Sequence, residues 1–421
     1  MLGIRGLERL AILAAIVLVA ACGSSGAASQ TPSSAATAQL TSTGPATSTA
    51  SSTPPATPAQ ASPGQSLPPG VTVVDTASSI QRLDWSPDGK LLAVLTWGGT
   101  FGTGRVDVLD LTGHQITSLV AVDMAWVDDT HLMTLGVSPD DTTHGTVTIF
   151  SIDGTVSGVV PGTFGGMLGN GHGSVALTAP VAVDEVPAKE SFQVWSNGQL
   201  GPRTAGYGLP IRWSADGRLL ALIGATSTSG SGANRTPAHG VVLTAAGSSL
   251  PGTLTVLSLP EKTVVLSRPL PDIRLDVYFS PNGSRLATSD GLVLTLASGR
   301  GTQLTGNADG WAPGGALVLV GQDHRVSLWT PTGTTVIPDA FEWAALGPDE
   351  GDIATLPAAD ENVAAPVTAV VRRAGGEVSI PLSVGLSIAT WSAGGVCFVA
   401  TGTIDAQRED NRLLRIELPA R

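Results

Sequence analysis

From about residue 71 onward, the apolar positions fall into short runs separated by clusters of Gly, Pro, Asn, Asp and Ser. That pattern predicts many short strands joined by tight turns. The clearest stretch is residues 83–95. Leu83 and Trp85 lie two apart and so share one strand face, Ser86-Pro87-Asp88-Gly89 follows, and Leu91 to Leu95 is continuously apolar. The four central residues suit a type I turn: Ser accepts from the backbone, Pro presets φ, and Gly supplies a left-handed φ. The unbroken apolar run after it predicts a strand buried on both faces.

The unit recurs. Ile211-Arg212-Trp213-Ser214-Ala215-Asp216-Gly217 followed by Arg218 to Ala221 is almost a copy, and Tyr278-Phe279-Ser280-Pro281-Asn282-Gly283 is a third. Weaker copies surround Trp126, Trp311 and Trp391, and the most degenerate surround Trp343 and Asn170-Gly171-His172-Gly173. On this reading six of the nine tryptophans (Trp85, Trp126, Trp213, Trp311, Trp343 and Trp391) occupy the equivalent place. Each unit then offers a third strand, such as Val106 to Leu109, Phe192 to Trp195, Val326 to Trp329 or Leu413 to Ile416, and most of these precede a second tight turn. The repeat length is close to the ~40–45 residues of a four-stranded blade.

The pattern Trp-Ser-Pro-Asp-Gly-x-x-Leu-Ala resembles the repeat of TolB-type and WD-repeat β-propellers, and the resemblance covers residues 71–421. It implies an all-β fold: a single β-propeller of four-stranded blades, eight by the count of turns, or seven if the poorly marked unit at 164–200 forms none. Val71 to Val74 is a strand with no blade of its own, and the last unit stops after its third strand. The expectation is that the N-terminal strand completes the last blade and closes the ring, which removes exposed edges.

In a four-stranded meander the first-to-second and third-to-fourth turns emerge on one side, and the second-to-third connections and blade links on the other. The first set is uniformly tight here. The longest segments, 97–104, 136–145, 179–190, 224–252, 357–366 and 402–411, all belong to the second. These loops are acidic, and Asp140, Asp141, Asp184, Glu185, Asp360, Glu361, Asp405 and Asp410 are the candidate binding residues on that face. A cationic partner or a loosely bound Ca²⁺ would suit them; solvated loops of an acidic protein would look the same. In the largest segment, Gly240 to Leu243 reads as a short extra strand.

Residues 1–21 read as an export signal, with Arg5 and Arg9 ahead of an apolar core too short to span a bilayer comfortably. The core ends Val19-Ala20-Ala21-Cys22-Gly23, which resembles the bacterial lipobox and implies lipidation at Cys22, palmitate among the acyl chains. Residues 22–70 carry no charge and consist mainly of Ser, Thr, Ala, Pro and Gly, so they read as a disordered tether. The propeller domain would be 71–421, held at the extracytoplasmic face of the cell membrane.

The net charge of −12 argues against nucleic acid as a partner. With Cys22 lipidated, Cys397 stands alone and no disulfide framework is available. No Gly-x-Ser-x-Gly elbow or phosphate loop occurs, and the histidines (114, 131, 144, 172, 239, 324) lack metal-ligand spacing. No catalytic residue, resident metal or cofactor is expected. The chain reads as a non-catalytic binding or scaffold module for a cell-envelope protein or wall polymer, similar to the propeller portion of LpqB-type lipoproteins. The alternative is an envelope hydrolase or lactonase whose site is assembled from several blades at the central funnel.

Overall fold

The computed structural model describes residues 67–75, 80–97, 104–138, 141–179, 191–225, 234–236, 241–243, 251–272, 275–349, 352–356, 367–373, 376–382, 386–392, 394–401 and 412–418. Every regular element among them is a strand.

The turns form by the chemistry their residues carry. In the first, Ser86 N donates to Leu91 O (2.8 Å) and Gly89 N to Ser86 O (2.8 Å), with Gly89 at φ +69°. The buried Ser86 hydroxyl accepts from Leu91 N (3.0 Å) and donates to Asp88 (2.8 Å). Ser214 and Asp216 repeat the arrangement at 2.9 and 2.6 Å, and Ser280 and Asn282 at 3.0 and 2.9 Å. One hydroxyl thus satisfies a backbone amide that burial would otherwise strand.

The hairpins so formed build eight antiparallel blades. After β1 (Val71–Asp75), blade 1 comprises Ile80–Trp85, Leu91–Trp97, Gly104–Asp110 and Gln115–Val120 (β2–β5). Blade 2 is Asp123–Trp126, His131–Ser138, Asp141–Ser151 and Val156–Phe164 (β6–β9). Blade 3 is Gly166–Gly169, Ser174–Thr178 and Ser191–Ser196 (β10–β12), its outer strand in two pieces, Gln199–Leu200 and Thr204–Ala205 (β13, β14). In blade 4, Leu209–Trp213 and Leu219–Ala225 (β15, β16) are followed by a ribbon of Asn234–Thr236 and Val241–Leu243 (β17, β18). Gly252–Ser258 and Thr263–Leu270 (β19, β20) then finish the blade. Blade 5 is Val277–Phe279, Arg285–Thr288, Leu292–Thr295 and Gly301–Gln303 (β21–β24).

Blade 6 begins with Asn307–Trp311, Leu317–Val320 and Arg325–Thr330 (β25–β27). Its outer strand and the inner strand of blade 7 are one continuous strand, Gly333–Leu346 (β28), which joins the two blades into a seven-stranded sheet. Blade 7 continues with Ile353–Leu356, Val367–Arg373 and Gly376–Leu382 (β29–β31), and blade 8 holds Leu386–Trp391, Cys397–Thr401 and Leu413–Ile416 (β32–β34). The ring closes as the sequence predicts: β1 pairs antiparallel with β34, Val71 opposite Ile416 and Val73 opposite Leu414. The protein is an eight-bladed β-propeller.

Apolar side chains pack between blades. Leu92, Val94 and Leu109 of blade 1 meet Phe398, Ala400 and Leu413 of blade 8, and Trp85 meets Phe398 edge-on at 5.6 Å. Second strands such as β3 are mainly apolar, with an occasional buried Thr such as Thr96, because a blade covers each of their faces. Inner strands touch the next inner strand around the axis, from β2 through β6, β10, β15 and β21 to β25, and from β28 through β32 back to β2.

The tryptophans fasten this ring. Trp126 Nε1 donates to Asp84 O (3.0 Å), Trp213 to Leu168 O (2.8 Å), Trp311 to Tyr278 O (2.9 Å) and Trp391 to Ala345 O (3.1 Å). Trp85 closes the series on Thr390 Oγ1 (2.8 Å). In each case the indole reaches the preceding blade, at the residue just before that blade's own Trp position. Two expectations are corrected. Trp343 is not in this series: Leu346, paired with Ile353, holds the place in blade 7, and Trp343 falls three residues earlier in β28. The segment 136–145 is mostly paired strand, with Val137 opposite Gly145 and Ser138 opposite Asp141, because its Thr and Gly residues extend the hairpin.

Candidate functional site

The two ends of the propeller differ. First-to-second strand turns are all short, whereas strands β3 and β4, β11 and β12, β16 and β19, β29 and β30, and β33 and β34 end on the opposite face and are joined by the long segments. Of the acidic residues expected there, Asp140, Asp184, Glu185, Asp360, Glu361, Asp405 and Asp410 lie outside the described residues. Asp141 opens β8, so it sits at a strand end on that face and not in a loop. Cys22 also lies outside them, as does His239.

The inner strands carry part of the buried charge. Asp123 on β6 is buried at the junction of three blades. It accepts from Met124 N (2.8 Å), Met167 N (2.9 Å) and Arg82 Nη1 (3.3 Å). Arg82 also donates to Asp84 (2.9 Å) and Met124 O (3.0 Å). Burial pushes the Asp123 carboxyl above its ordinary range, against the pull of Arg82 and the two amides. Across the ring, Arg212 donates to Val277 O (3.2 Å) and lies 5.4 Å from the centre of the Tyr278 ring. Burial raises Asp276 against the pull of Arg212, and burial together with Asp276 and Asp309 raises the Tyr278 phenol.

Two further clusters tie blades together. Arg105 reaches Asp107 (2.7 Å) and Asp75 of the closing strand (3.1 Å), and burial raises Asp107. Arg373 approaches Asp349 and Asp352 (3.7 Å each) and donates to Gly395 O (3.3 Å). Gly395 has φ +80°, and a Cβ there would strike the Arg373 guanidinium, so glycine is required twice over. Each buried acid is thus matched by an arginine, an arrangement that holds structure.

Among the described residues no three or more His, Cys, Asp and Glu side chains converge in a way that would hold a metal ion. The Cys397 thiol is fully buried and burial raises its pKa, which leaves it unreactive. Asp88 and Asp216 belong to turns: hydrogen bonds, from Lys90 to the first and from the Ser214 hydroxyl to the second, hold both carboxyls below their ordinary range.

One feature was not singled out from the sequence. A pocket of about 480 Å³ opens among the inner strands of blades 6, 7 and 8, at the tight-turn end. Asp309, Trp311, Ala345, Thr390 and Trp391 wall it, with turn residues Pro313, Pro348 and Ser392 at its margin. It exists because side chains are small there. The residue before the Trp position is Leu168, Arg212 and Tyr278 in blades 3–5, but Gly310, Ala345 and Thr390 in blades 6–8. Aligning the repeats on the turn would have shown that run of small residues.

No protein-family profile matches the chain, and no curated protein does. Solved structures do. The chain is similar to the Dos1 propeller (12% identity over 72% of this chain and 78% of that one, TM-score 0.44). It is also similar to the WD40 β-propeller domain of Doa1 (12%, 83% and 98%, TM-score 0.39). A third is an oligogalacturonate lyase in complex with manganese (13%, 84% and 92%, TM-score 0.44). At these identities the likeness is one of fold, and it spans both an enzyme and proteins named only as propellers.

Proposed function

We propose that this chain is a non-catalytic binding module of the bacterial cell envelope, lipid-anchored at Cys22 on the extracytoplasmic side. It engages an envelope protein or wall polymer through its long-loop face. The carrying observation is the asymmetry of the propeller: the strand ends joined by the long connections all lie on one face, on a scaffold closed by β1 and clamped by five indole hydrogen bonds. A rigid ring that concentrates its variable segments on one side is suited to recognition. The acidic residues of those segments would favour a basic partner.

The hydrolase reading draws on the pocket among blades 6–8. Among the described residues its wall carries one carboxylate, Asp309, and no His, Cys or Lys. Glycoside hydrolysis by the common route requires two opposed carboxylates, so the pocket favours binding over hydrolysis.

The test is crosslinking and capture from intact membranes. Wild type is compared with a variant lacking 226–250 and carrying Asp184→Asn, Glu185→Gln, Asp360→Asn and Glu361→Gln. One envelope component enriched by wild type and lost in the variant supports the reading. Equal capture by both, or none by either, overturns it. Separately, Cys22→Ser is expected to release the chain from the membrane fraction.

A further inference from the structure

We propose that the pocket among the inner strands of blades 6, 7 and 8 is a second binding site, on the face opposite the long loops, and that it holds a small neutral ligand by its carbonyl oxygen, as in an amide or a lactone. The inference is independent of the loop-face reading. It starts from one turn.

Four of the tight turns open with serine: Ser86, Ser214, Ser280 and Ser392. Each hydroxyl accepts from a backbone amide across its turn, Ser392 from Val396 N at 2.9 Å. In the first three, the hydroxyl proton goes to the residue two positions on, Asp88, Asp216 or Asn282. In blade 8 that position is Gly394, which has no side chain to receive it. Ser392 is 1% exposed, it borders the pocket, and its proton has no acceptor among the described residues. Thr390, two residues earlier in the same wall, is placed alike. Its Oγ1 accepts from Trp85 Nε1 at 2.8 Å, and no described residue accepts its proton. Buried hydroxyls normally find an acceptor, so two unspent protons in one wall mark the place of a group the protein does not itself supply.

The rest of the wall decides which acceptor fits. Trp311 and Trp391 spend their N–H groups on Tyr278 O and Ala345 O, so they offer rings, and Pro313, Ala345 and Pro348 add further apolar surface. Among the described lining residues there is no Lys, Arg or His. An anion would lose its hydration there with no cation to offset the cost. Asp309 is already engaged in an interaction of its own, so it is not held open for a cation or for the many hydroxyl protons of a sugar. A carbonyl oxygen flanked by methylene groups matches what remains: it accepts two hydrogen bonds and brings no proton to place. The volume of about 480 Å³ admits such a molecule and lies within the ~300–1,000 Å³ usual for small-ligand sites. The inner strands around it are fixed by the indole clamps, so little binding energy goes into ordering the site.

The experiment uses the full chain and two probes: 1-methyl-2-pyrrolidone, a cyclic amide with no N–H, and 1-methylpyrrolidinium, the same ring charged and without the carbonyl. Each is titrated to about 20 mM by ligand-observed NMR. The amide is expected to bind at least tenfold more tightly than the cation. Gly394→Asn and Gly394→Asp rebuild the serine pairs of blades 5 and 1, and Gly394 lies outside the left-handed region, so a side chain is tolerated there. Both variants should capture the Ser392 proton, weaken the amide at least fivefold and leave the thermal melt unchanged or raised. Gly394→Ala adds a Cβ that meets only Ser392 Oγ, at 3.8 Å, and accepts nothing, so it should leave the affinity intact. Ala345→Leu, which fills the pocket, should abolish binding. Thermal melts identify any variant that fails to fold; the probe ratio and the remaining variants then decide. The proposal is overturned by no amide binding at 20 mM, by a cation bound as tightly as the amide, by binding that survives Ala345→Leu, or by affinity unchanged in both Gly394→Asn and Gly394→Asp. Deletion of 226–250 should leave the amide affinity intact, so failure of the loop-face reading and failure of this one are distinguishable.

Discussion

The smallest part the propeller depends on is a serine hydroxyl. Ser214 is buried, and its Oγ is the acceptor for Leu219 N. Ser214→Ala should therefore strand that amide and cost about 1–3 kcal/mol, read by urea denaturation. Asp216→Asn should be nearly silent at neutral pH, because Asn282 already makes the same bond with Ser280 in blade 5. The acid limb should differ. A carboxyl whose folded pKa is depressed stabilises the fold above its unfolded pKa of about 4, and that contribution is lost as the pH falls through the depressed value. Asn keeps the bond at every pH, so Asp216→Asn removes the pH dependence and should flatten the acid limb of the stability curve. Asp123 works in the opposite sense. Its folded pKa is raised, so its favourable contribution is complete at low pH and is lost as pH rises through that value. Arg82→Met should cost about 3–5 kcal/mol at pH 7, where it leaves a buried carboxylate without its guanidinium. The loss should shrink as the pH falls through the raised Asp123 pKa and the acid becomes neutral; a pH-independent loss would show that Arg82 acts only by packing.

At the scale of the element, five of the eight blades are joined to the one before by an indole bond that needs no loop. Trp126→Phe keeps most of the packing and removes the donor to Asp84 O. The expected cost is about 1–3 kcal/mol, measured by denaturant melts. Gly169→Ala tests the next joint, between blades 2 and 3. A Cβ there would meet Trp126 O at 2.7 Å, so blades 2 and 3 must separate and stability should fall. These joints were half legible in sequence. A rare residue recurring in register marked the position, and the type I turn following it fixed strand ends, because both are short-range chemistry. That the indoles bond backward to the neighbouring blade could not be read, since it depends on how blades stack. Trp343 shows the limit. Gly347-Pro348-Asp349 lacks the Ser that stands at positions 86, 214, 280 and 392 in four of the other turns, and Leu346 holds the place instead. The pocket was missed for the converse reason: it is made by what blades 6–8 lack, and no motif announces small side chains.

The whole molecule is held by a clasp. Val71 and Val73 of β1 pack on the core that contains Leu414, Ile416 and Cys397, and Glu417 N donates to Gly70 O (2.9 Å). Arg105 bridges Asp107 in blade 1 to Asp75 in this strand. Val73→Asp should cost at least about 2 kcal/mol and unlatch the ring. Hydrogen exchange should then speed first at Leu413–Ile416, and only later in blades 3–5; uniform acceleration would mean that the clasp is not a separate unit. Closure by β1 was legible because a strand without a blade and a blade without a fourth strand complement each other. The acidic face was legible only as composition, and all its candidate residues but Asp141 lie outside the described residues.

The clasp also sets an order in time. Positions 71 and 416 must meet before any ring exists, yet the ribosome makes them almost the whole chain apart. Until Leu413–Ile416 emerges, the growing protein is an open arc. One flank of blade 1, with Leu92 and Val94, has no neighbour while it waits. Long-range pairing of this kind is slow, and the apolar flank it leaves uncovered is prone to aggregate. The same strand that makes the finished propeller edgeless makes the nascent one dependent on whatever shelters it until the last blade arrives.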